Sequence, residues 1–256
     1  MESAVIAFAN QKGGVGKTTS TVNIAAALGY LGYKTLLIDA DPQGNASSGV
    51  GVRKKDLRRS LYTVLTGGCA PAEAVVKTEF KNLSVLPATM DLAGAEFDLM
   101  EREQHHSALR EAVDALAGSF DFILIDCPPS LGLLTVNALS AAGSVVIPMQ
   151  CEYFALEGLA QLMNTVRRVK AGYNPTLTIG GILVTMYDGR LNLSAQVLEE
   201  LKKYYKEKLF PTMIPRVVKI AEAPSFGKPI FYHDKYSKGS LAYLDVAKEL
   251  ARRQGF

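Results

Sequence analysis

The stretch Gln11-Lys12-Gly13-Gly14-Val15-Gly16-Lys17-Thr18-Thr19 comes directly after a short apolar run and directly before a stretch with helical periodicity. Glycines let the backbone curl until successive N–H groups converge on one anion, and the start of a helix adds partial positive charge. A strand, a glycine-rich loop and a helix in this order are the context that a phosphate-binding loop needs. This stretch therefore predicts both a fold and a site.

Two side chains of this loop are candidates for direct contact with a bound nucleotide. We expect the Lys17 ammonium to reach the β- and γ-phosphates and the Thr18 hydroxyl to bind Mg²⁺. The usual GxxxxGK[ST] pattern fails, because Gln11 occupies the position of its first glycine. The sequence has KGGVGKT instead, with a second lysine, Lys12, at the entrance of the loop.

Six short apolar runs recur along the chain, and each is typical of a strand buried on both faces of a parallel sheet. They lie at 4–9, 34–39, 83–88, 121–126, 144–149 and 179–186. Stretches with helical periodicity alternate with them, at 18–31, 107–117, 155–171, 194–208 and 241–253. This alternation indicates βαβ units with right-handed crossovers. We predict an α/β fold, a doubly wound and mostly parallel sheet flanked by helices, in a single domain over residues 1–256.

The composition places the chain among ordinary globular proteins, with 48% hydrophobic and 21% charged residues. The first apolar run is too short for a signal-peptide core, and no window approaches the roughly 18 to 20 apolar residues that span a bilayer. Cys69, Cys127 and Cys151 lie far apart in the sequence, and we expect them to be reduced thiols. These observations predict a soluble, cytoplasmic protein.

Two predicted strands end in aspartate. The run LLID ends at Asp39 and continues to Asp41, and the run ILID ends at Asp126. Since the carboxyl ends of parallel strands line the ligand crevice, we expect both clusters beside the phosphate loop. An apolar strand that ends in aspartate is how a Walker B carboxylate is held near Mg²⁺, whereas a turn or helix N-cap is the alternative for either aspartate alone. We expect the neighbouring Cys127 to be a packed side chain and not a ligand.

Basic residues are concentrated in the last quarter of the chain. Residues 1–188 contain 15 basic and 18 acidic side chains, whereas residues 189–256 contain 13 basic and 7 acidic ones. This part is a candidate surface for a polyanion or an anionic lipid, and a solvated lysine-rich helix is the alternative. For the earlier basic run at 53–59 we expect a solvated helical face.

The whole chain resembles the ParA/Soj proteins, which belong to the deviant Walker A ATPases together with MinD and the nitrogenase iron protein. The resemblance is carried, in order, by NQKGGVGKTT, IDADPQGNA, LPATMDLAGAE, DCPPSLGLLTVNAL, PMQCEYFALEGL and IPRVVKIAEAPSFGKPI. It implies a P-loop ATPase that binds ATP and Mg²⁺, hydrolyses ATP slowly without a partner, and segregates chromosomal or plasmid DNA. Because the chain begins at its first strand, we expect no N-terminal helix-turn-helix extension.

The resemblance also implies roles for individual residues. Lys12 would contact the phosphates of the partner subunit in an ATP-bound sandwich homodimer, and Asp41 would orient the attacking water. With Lys17, these two residues would form the catalytic group. The metal site would consist of Thr18, Asp41 and Asp126. The nucleotide would be bound by Lys12, Gly13, Gly14, Val15, Gly16, Lys17, Thr18 and Thr19, with Met186 and Pro215 at the adenine.

Three partners follow from the same resemblance. One is a second copy of the chain, and another is double-stranded DNA, bound without sequence preference through Arg190, Arg216 and Lys219. The third is a ParB-type centromere-binding protein that stimulates hydrolysis. We expect a nucleoid-associated protein with no stable membrane association.

Other functions use a similar loop and remain as alternatives. A MinD-like membrane-cycling ATPase of cell division would need a C-terminal amphipathic anchor, and this chain ends in ELARRQGF. An iron–sulfur reductase would need cysteines that bridge the dimer, and Cys127 does not lie in such a motif. A metabolic P-loop ligase, such as a dethiobiotin synthetase, would leave the EAPSFGKP block and the basic tail without a role. No NKxD element is present, which favours ATP over GTP.

Overall fold

The computed structural model describes residues 3–256, and all its main elements pack around one seven-stranded sheet. The strands are β1 Ala4–Phe8, β2 Thr35–Asp39, β3 Val76–Lys77, β4 Leu83–Leu86, β5 Phe122–Asp126, β6 Ser144–Met149 and β7 Thr178–Val184. Their spatial order is β3-β4-β2-β5-β1-β6-β7. Every neighbouring pair is parallel apart from β3 and β4. The predicted doubly wound, mostly parallel sheet is confirmed.

Helices cover both faces of this sheet. They are α1 Lys17–Leu31, α2 Asn45–Gly49, α3 Leu61–Leu65, α4 Pro71–Ala74, α5 Ala95–Met100, α6 Ala108–Leu116, α7 Leu133–Ala141, α8 Ala155–Gly172, α9 Asn192–Tyr205, α10 Val218–Glu222, α11 Ile230–His233 and α12 Lys238–Arg253. Short 3-10 turns lie at Lys54–Asp56, Met90–Ala93 and Ala223–Phe226. The five predicted helices are present, with ends within three residues of those expected. Within residues 3–256, no helix is both long and apolar enough to cross a membrane.

The central strands are buried on both faces, which explains their continuous apolar runs. Every residue of β2 and of β5 is buried. Successive side chains of β2 alternate between two cores: Leu36 and Ile38 pack in one, and Leu37 packs in the other with α1 and α12. Since a fully buried leucine or isoleucine stabilises the fold by about 1.5–3 kcal/mol, these strands anchor the sheet. Their carboxyl ends are thereby held rigidly at one edge.

The basic run at 53–59 differs from its prediction, and several elements were not predicted: β3, α7 and the short helices α2, α3, α4, α5, α10 and α11. Most of the basic side chains at 53–59 are exposed, as predicted, but the predicted helix is wrong: only a 3-10 turn lies there, at Lys54–Asp56. Within this run, the Lys54 ammonium donates to the Gln43 carbonyl at 2.5 Å. Among the elements that were not predicted, α7 has the most residues. Most of this helix is buried and it contains no charged residue, so its sequence has no polar stripe to reveal helical periodicity.

Candidate nucleotide-binding site

The phosphate loop connects β1 to α1 at the carboxyl edge of the sheet. Gly14 and Gly16 have φ angles of +74° and +81°, in the left-handed region that glycine adopts without strain. No side chain of residues 3–256 caps the start of α1, so its first N–H groups remain available to an anion. A Cβ atom added at Gly13 or Gly14 would meet nothing within 4 Å. The loop therefore presents backbone donors to an open space, as a phosphate cradle requires.

Hydrogen bonds from the ends of β6 and β7 hold the loop in place. The Thr185 hydroxyl donates to the Val15 carbonyl at 2.7 Å, and the Gln150 amide donates to the Gly14 carbonyl at 3.2 Å. On the other side, the Asn10 amide donates to the Pro148 carbonyl at 2.8 Å. Because these contacts join segments far apart in sequence, the loop is set by the tertiary fold as well as by its glycines.

Lys17 is a nearly buried cation directed into this space. Its side chain starts from the first residue of α1, the residue is 7% exposed, and its ammonium donates to the Lys12 carbonyl at 3.2 Å. Burial lowers the pKa of Lys17, and the nearby Asp126, Cys127 and Asp41 act in the opposite direction. An ammonium that has lost most of its hydration is stabilised by any anion placed next to it, such as a phosphate.

Asp126 is a fully buried carboxylate at the end of β5. One oxygen, Oδ1, accepts a hydrogen bond from the Thr21 hydroxyl at 3.0 Å. The other, Oδ2, has no hydrogen-bond partner among the residues that the structure describes. Burial and the neighbouring Asp39 raise the pKa of Asp126 to about 8. A buried polar atom without a partner is costly, and Mg²⁺ or its bound water would satisfy this one. The donor set fits a magnesium site beside Thr18.

Asp39 is a second buried carboxylate, and its contacts were not predicted from the sequence. It lies in register opposite Asp126 on the neighbouring strand. Its Oδ2 accepts hydrogen bonds from both the backbone N–H and the hydroxyl of Ser47, each at 2.7 Å, and the same Ser47 hydroxyl oxygen accepts from the Ala88 N–H at 3.1 Å. Burial raises the pKa of Asp39 to about 6. Asp39 thus anchors α2, and with it the segment that carries Asp41.

Asp41 combines a structural contact with proximity to the site. Its Oδ1 accepts from the Gln43 N–H at 2.9 Å, and its carbonyl accepts from the Gly44 N–H at 2.8 Å, so it shapes the turn after β2. It is 8% exposed and adds negative charge near Lys17. Asp41 can therefore stabilise the turn after β2 and still lie close enough to Lys17 for its predicted role in the site.

A largely apolar cavity of about 420 Å³ opens beside the loop. Its lining includes Gly16, Thr19, Met186, Pro215 and Tyr243. Met186 follows β7 with φ +50°, and the next N–H, that of Tyr187, donates to the Ile214 carbonyl at 2.9 Å. This pairing brings the two predicted adenine-contacting residues, Met186 and Pro215, into one cavity. The size and apolar lining suit a flat heteroaromatic ring.

Lys12 lies at the rim of the loop and forms an ion pair with Glu152. Both side chains are about half exposed. Glu152 follows β6 within the block PMQCEYFALEGL, and the sequence reading assigned it no role. No local signal identifies it, since the pair joins residues 140 positions apart.

The predicted DNA-contacting residues lie after β7 and around α10. The Arg190 side chain is 89% exposed and pairs with Asp188, whereas Lys219 pairs with Glu222 at 3.3 Å. Arg216 lines the cavity of about 420 Å³ beside the phosphate loop. Not all of the basic tail is surface charge: the Arg253 guanidinium donates to the Gly180 and Leu209 carbonyls. Arg253 also pairs with Glu249, which is equally little exposed, so the surplus of positive charge in this part of the chain does not change.

The three cysteines form no disulfide bonds. Cys127 and Cys151 are buried and Cys69 is partly exposed. Burial raises the pKa of the Cys127 thiol far above its ordinary value, which favours the neutral form. This environment agrees with the prediction that Cys127 is a packed side chain.

Comparisons with known proteins identify the family. The AAA_31 family, described as an AAA domain, matches residues 3–179. Sporulation initiation inhibitor protein Soj of Bacillus subtilis (strain 168) is 53% identical over 96% of this chain and 98% of its own length. Chromosome partitioning protein ParA of Myxococcus xanthus (strain DK1622) is 50% identical over 97% of this chain and 88% of its own.

A solved structure with a different name is also similar. It is that of cobyrinic acid a,c-diamide synthase from Mycobacterium smegmatis with bound ADP and magnesium, with 40% identity and a TM-score of 0.87. The match covers 99% of this chain and 96% of that one. The higher identity of the Soj and ParA proteins, over nearly the whole chain, is decisive: this chain belongs to the ParA/Soj family.

Proposed function

We propose that this chain is an ATP-dependent DNA-partitioning switch that moves chromosomal or plasmid DNA. The observation that carries the proposal is the convergence of Lys17 and the unsatisfied Asp126 oxygen on the open glycine loop. A cation, a buried carboxylate and backbone N–H donors are the three groups that bind a nucleoside triphosphate and its metal ion. Family membership adds the partitioning role, since relatives named for chromosome partitioning are about half identical to the chain.

Each part of the proposed site has a distinct task. The N–H groups of the loop and the Lys17 ammonium bind the phosphates, while Thr18, Asp126 and Asp41 hold Mg²⁺ directly or through water. Mg²⁺, when bound, neutralises charge that develops on the phosphate oxygens. Asp41 orients the attacking water, and the Asp39–Ser47 contact keeps the Asp41 segment in position. The adenine occupies the cavity beside Met186 and Pro215.

Lys12 completes the site across a homodimer. The half-exposed position of its ammonium at the rim of the loop supports a contact with a nucleotide held by a second copy of the chain. A cation supplied in trans to the phosphoryl group raises the rate of phosphoryl transfer by roughly 10³- to 10⁵-fold. Hydrolysis is therefore slow in the monomer, and ATP favours the dimer because it is bound there by both subunits.

The dimer then binds DNA through Arg190, Arg216 and Lys219. Such contacts go to phosphates, carry no sequence information and release counterions, so the affinity falls steeply with salt. A ParB-type partner stimulates hydrolysis and returns the protein to the monomer, which leaves the DNA. This cycle places the protein in the cytoplasm, on the nucleoid.

The similarity to a structure named as a cobyrinic acid a,c-diamide synthase supports a second candidate, a metabolic ligase that uses the same phosphate loop. The two candidates differ in what they do with ATP. A ligase consumes ATP only with its small-molecule acceptor and does not respond to DNA. A partitioning switch binds DNA when ATP is present.

Binding to an arbitrary DNA duplex tests the proposal. We would measure fluorescence anisotropy at near-physiological salt, with ATP and with ADP, for the wild type, Arg190→Ala and the control Arg167→Ala. Arg167 is an exposed arginine on α8 whose bond is to Asn164 within the same helix. We expect ATP-dependent binding in the wild type and the control, and strongly weakened binding in Arg190→Ala. No binding in either nucleotide state would contradict the proposal. Binding to liposomes and activity with small-molecule substrates would then be measured.

A further inference from the structure

The Asp188 carboxylate holds the Arg190 guanidinium with two parallel hydrogen bonds. Arg190 Nη2 donates to Asp188 Oδ2 at 2.6 Å, and Arg190 Nε donates to Asp188 Oδ1 at 2.8 Å. The backbone N–H of Arg190 also donates to Oδ1, at 3.1 Å. The Asp188 side chain is only 21% exposed, whereas that of Arg190 is 89% exposed. The carboxylate is thus the less mobile partner, and the arginine is held on it.

A second arginine of the proposed DNA surface lies close to the same carboxylate. Arg216 and Asp188 line one cleft of about 360 Å³ with Gln150 and Leu191. Hydrogen bonds from Arg190, together with the nearby positive charge of Arg216, hold the pKa of Asp188 at about 2. Asp188 is therefore ionised at neutral pH. Its one negative charge lies beside two of the three proposed DNA-contacting residues, Arg190 and Arg216.

A carboxylate and a phosphate offer a guanidinium the same arrangement of acceptors. Both present two oxygens to the paired N–H donors of arginine, in a bidentate geometry. Asp188 occupies Arg190 donors that a DNA phosphate would need. A phosphate therefore binds Arg190 in this manner only when the pair with Asp188 is broken.

We propose that Asp188 is an internal competitor of the DNA backbone, which weakens non-specific binding by occupying Arg190 until a phosphate displaces it. The proposal rests on the proposed DNA-binding function and adds a residue that sets its strength. The competition is modest, because an exposed ion pair is weak. A modest competitor suits a protein that must leave DNA again after each cycle.

The test is DNA affinity across a double-mutant cycle. We would compare the wild type, Asp188→Asn, Arg190→Ala and the double variant with an arbitrary duplex and saturating ATP, over a series of salt concentrations. We expect Asp188→Asn to tighten binding about two- to fivefold, the range that an exposed ion pair accounts for. The slope of log affinity against log salt should change by less than the value for one phosphate contact, about 0.9, because Arg190 reaches a phosphate in both proteins. In the Arg190→Ala background the same change should give a clearly smaller gain, because only the general effect of removing a negative charge near Arg216 remains.

A control separates this competition from net charge. Asp245→Asn also removes one carboxylate that pairs with a basic side chain, Lys248, at 3.2 Å on α12. We expect it to leave DNA affinity unchanged. An equal gain in Asp245→Asn, or a gain that is undiminished without Arg190, would mean a general charge effect and would overturn the inference.

The remaining outcomes are also decisive. If the wild type binds DNA with ATP but Asp188→Asn binds equally or more weakly, Asp188 orients Arg190 and does not compete for it, and the inference fails while the proposed function stands. If no variant binds, the proposed function itself fails. Thermal unfolding would verify each fold, and Asp188→Ser provides a second removal of the carboxylate should the asparagine variant unfold.

Discussion

The Lys12 ammonium pairs with the Glu152 carboxylate, which joins the entrance of the phosphate loop to the segment after β6. The pair satisfies Lys12 within one subunit. A Lys12 that reaches a nucleotide held by a partner must first leave Glu152. The contact therefore opposes the dimer in which we propose that Lys12 acts.

Removing the carboxylate should favour that dimer. We expect Glu152→Gln to lower the protein concentration for half-dimerisation with ATP about four- to 25-fold, because both subunits lose an exposed ion pair and each pair contributes up to about 1 kcal/mol. Analytical ultracentrifugation with a slowly hydrolysed ATP analogue would measure it. Glu157→Gln, an exposed glutamate in the first turn of α8, is the matched control. Unchanged or weaker dimers in Glu152→Gln would show that the pair does not restrain Lys12.

Alanine substitution of the two lysines of the loop, Lys12 and Lys17, should affect different steps of the ATPase reaction. Lys12→Ala should keep ATP binding but lose hydrolysis stimulated by DNA and partner, by about 10³-fold or more, if Lys12 is a cation in trans. Lys17→Ala should lose ATP binding itself, because Lys17 is the buried cation within the subunit's own site. Titration with a fluorescent nucleotide and a phosphate-release assay would measure both properties. Full stimulated hydrolysis and ATP-dependent dimerisation in Lys12→Ala would refute the proposed role.

Asp126 should make the stability of the nucleotide-free protein depend on pH. Its pKa is raised in the folded state, to about 8, so the folded state binds a proton that the unfolded chain has lost above about pH 4. The free energy of unfolding should therefore fall as pH rises from about 4 to 8. Urea unfolding of the wild type and Asp126→Asn would show this, since the variant lacks that contribution. The same slope in both proteins would assign the effect to other groups.

The Asp39–Ser47–Ala88 network should support both stability and turnover. Ser47→Ala removes one donor to Asp39 and leaves the buried Ala88 N–H without its acceptor. An unsatisfied buried donor costs about 1–3 kcal/mol, so the free energy of unfolding should fall by that amount. Because the Asp41 segment is loosened, kcat should fall more than the affinity for ATP. Ser48→Ala, which loses only a bond to the Gly44 carbonyl, is the control, and an equal effect in both variants would exclude the network.

Much of the fold could be predicted from local patterns. Six of the seven strands appear as runs of apolar residues and five of the helices as helical periodicity, and the structure confirms them. The misses have physical causes. α7 is too thoroughly buried to show a polar stripe, and β3 and the short helices do not extend far enough to show a periodicity.

The sequence by itself determined the phosphate loop, because its glycines, its lysines and the helix start lie within nine consecutive residues. It also determined that Asp39 and Asp126 end buried strands. Only the tertiary structure decided which distant groups meet them: Glu152 at Lys12, and Ser47 with Ala88 at Asp39. The strand order brings the ends of β2, β5, β1 and β6 to one edge, and side chains far apart in sequence come within hydrogen-bond distance there. No local pattern encodes such contacts, because they depend on how the strands are arranged in space.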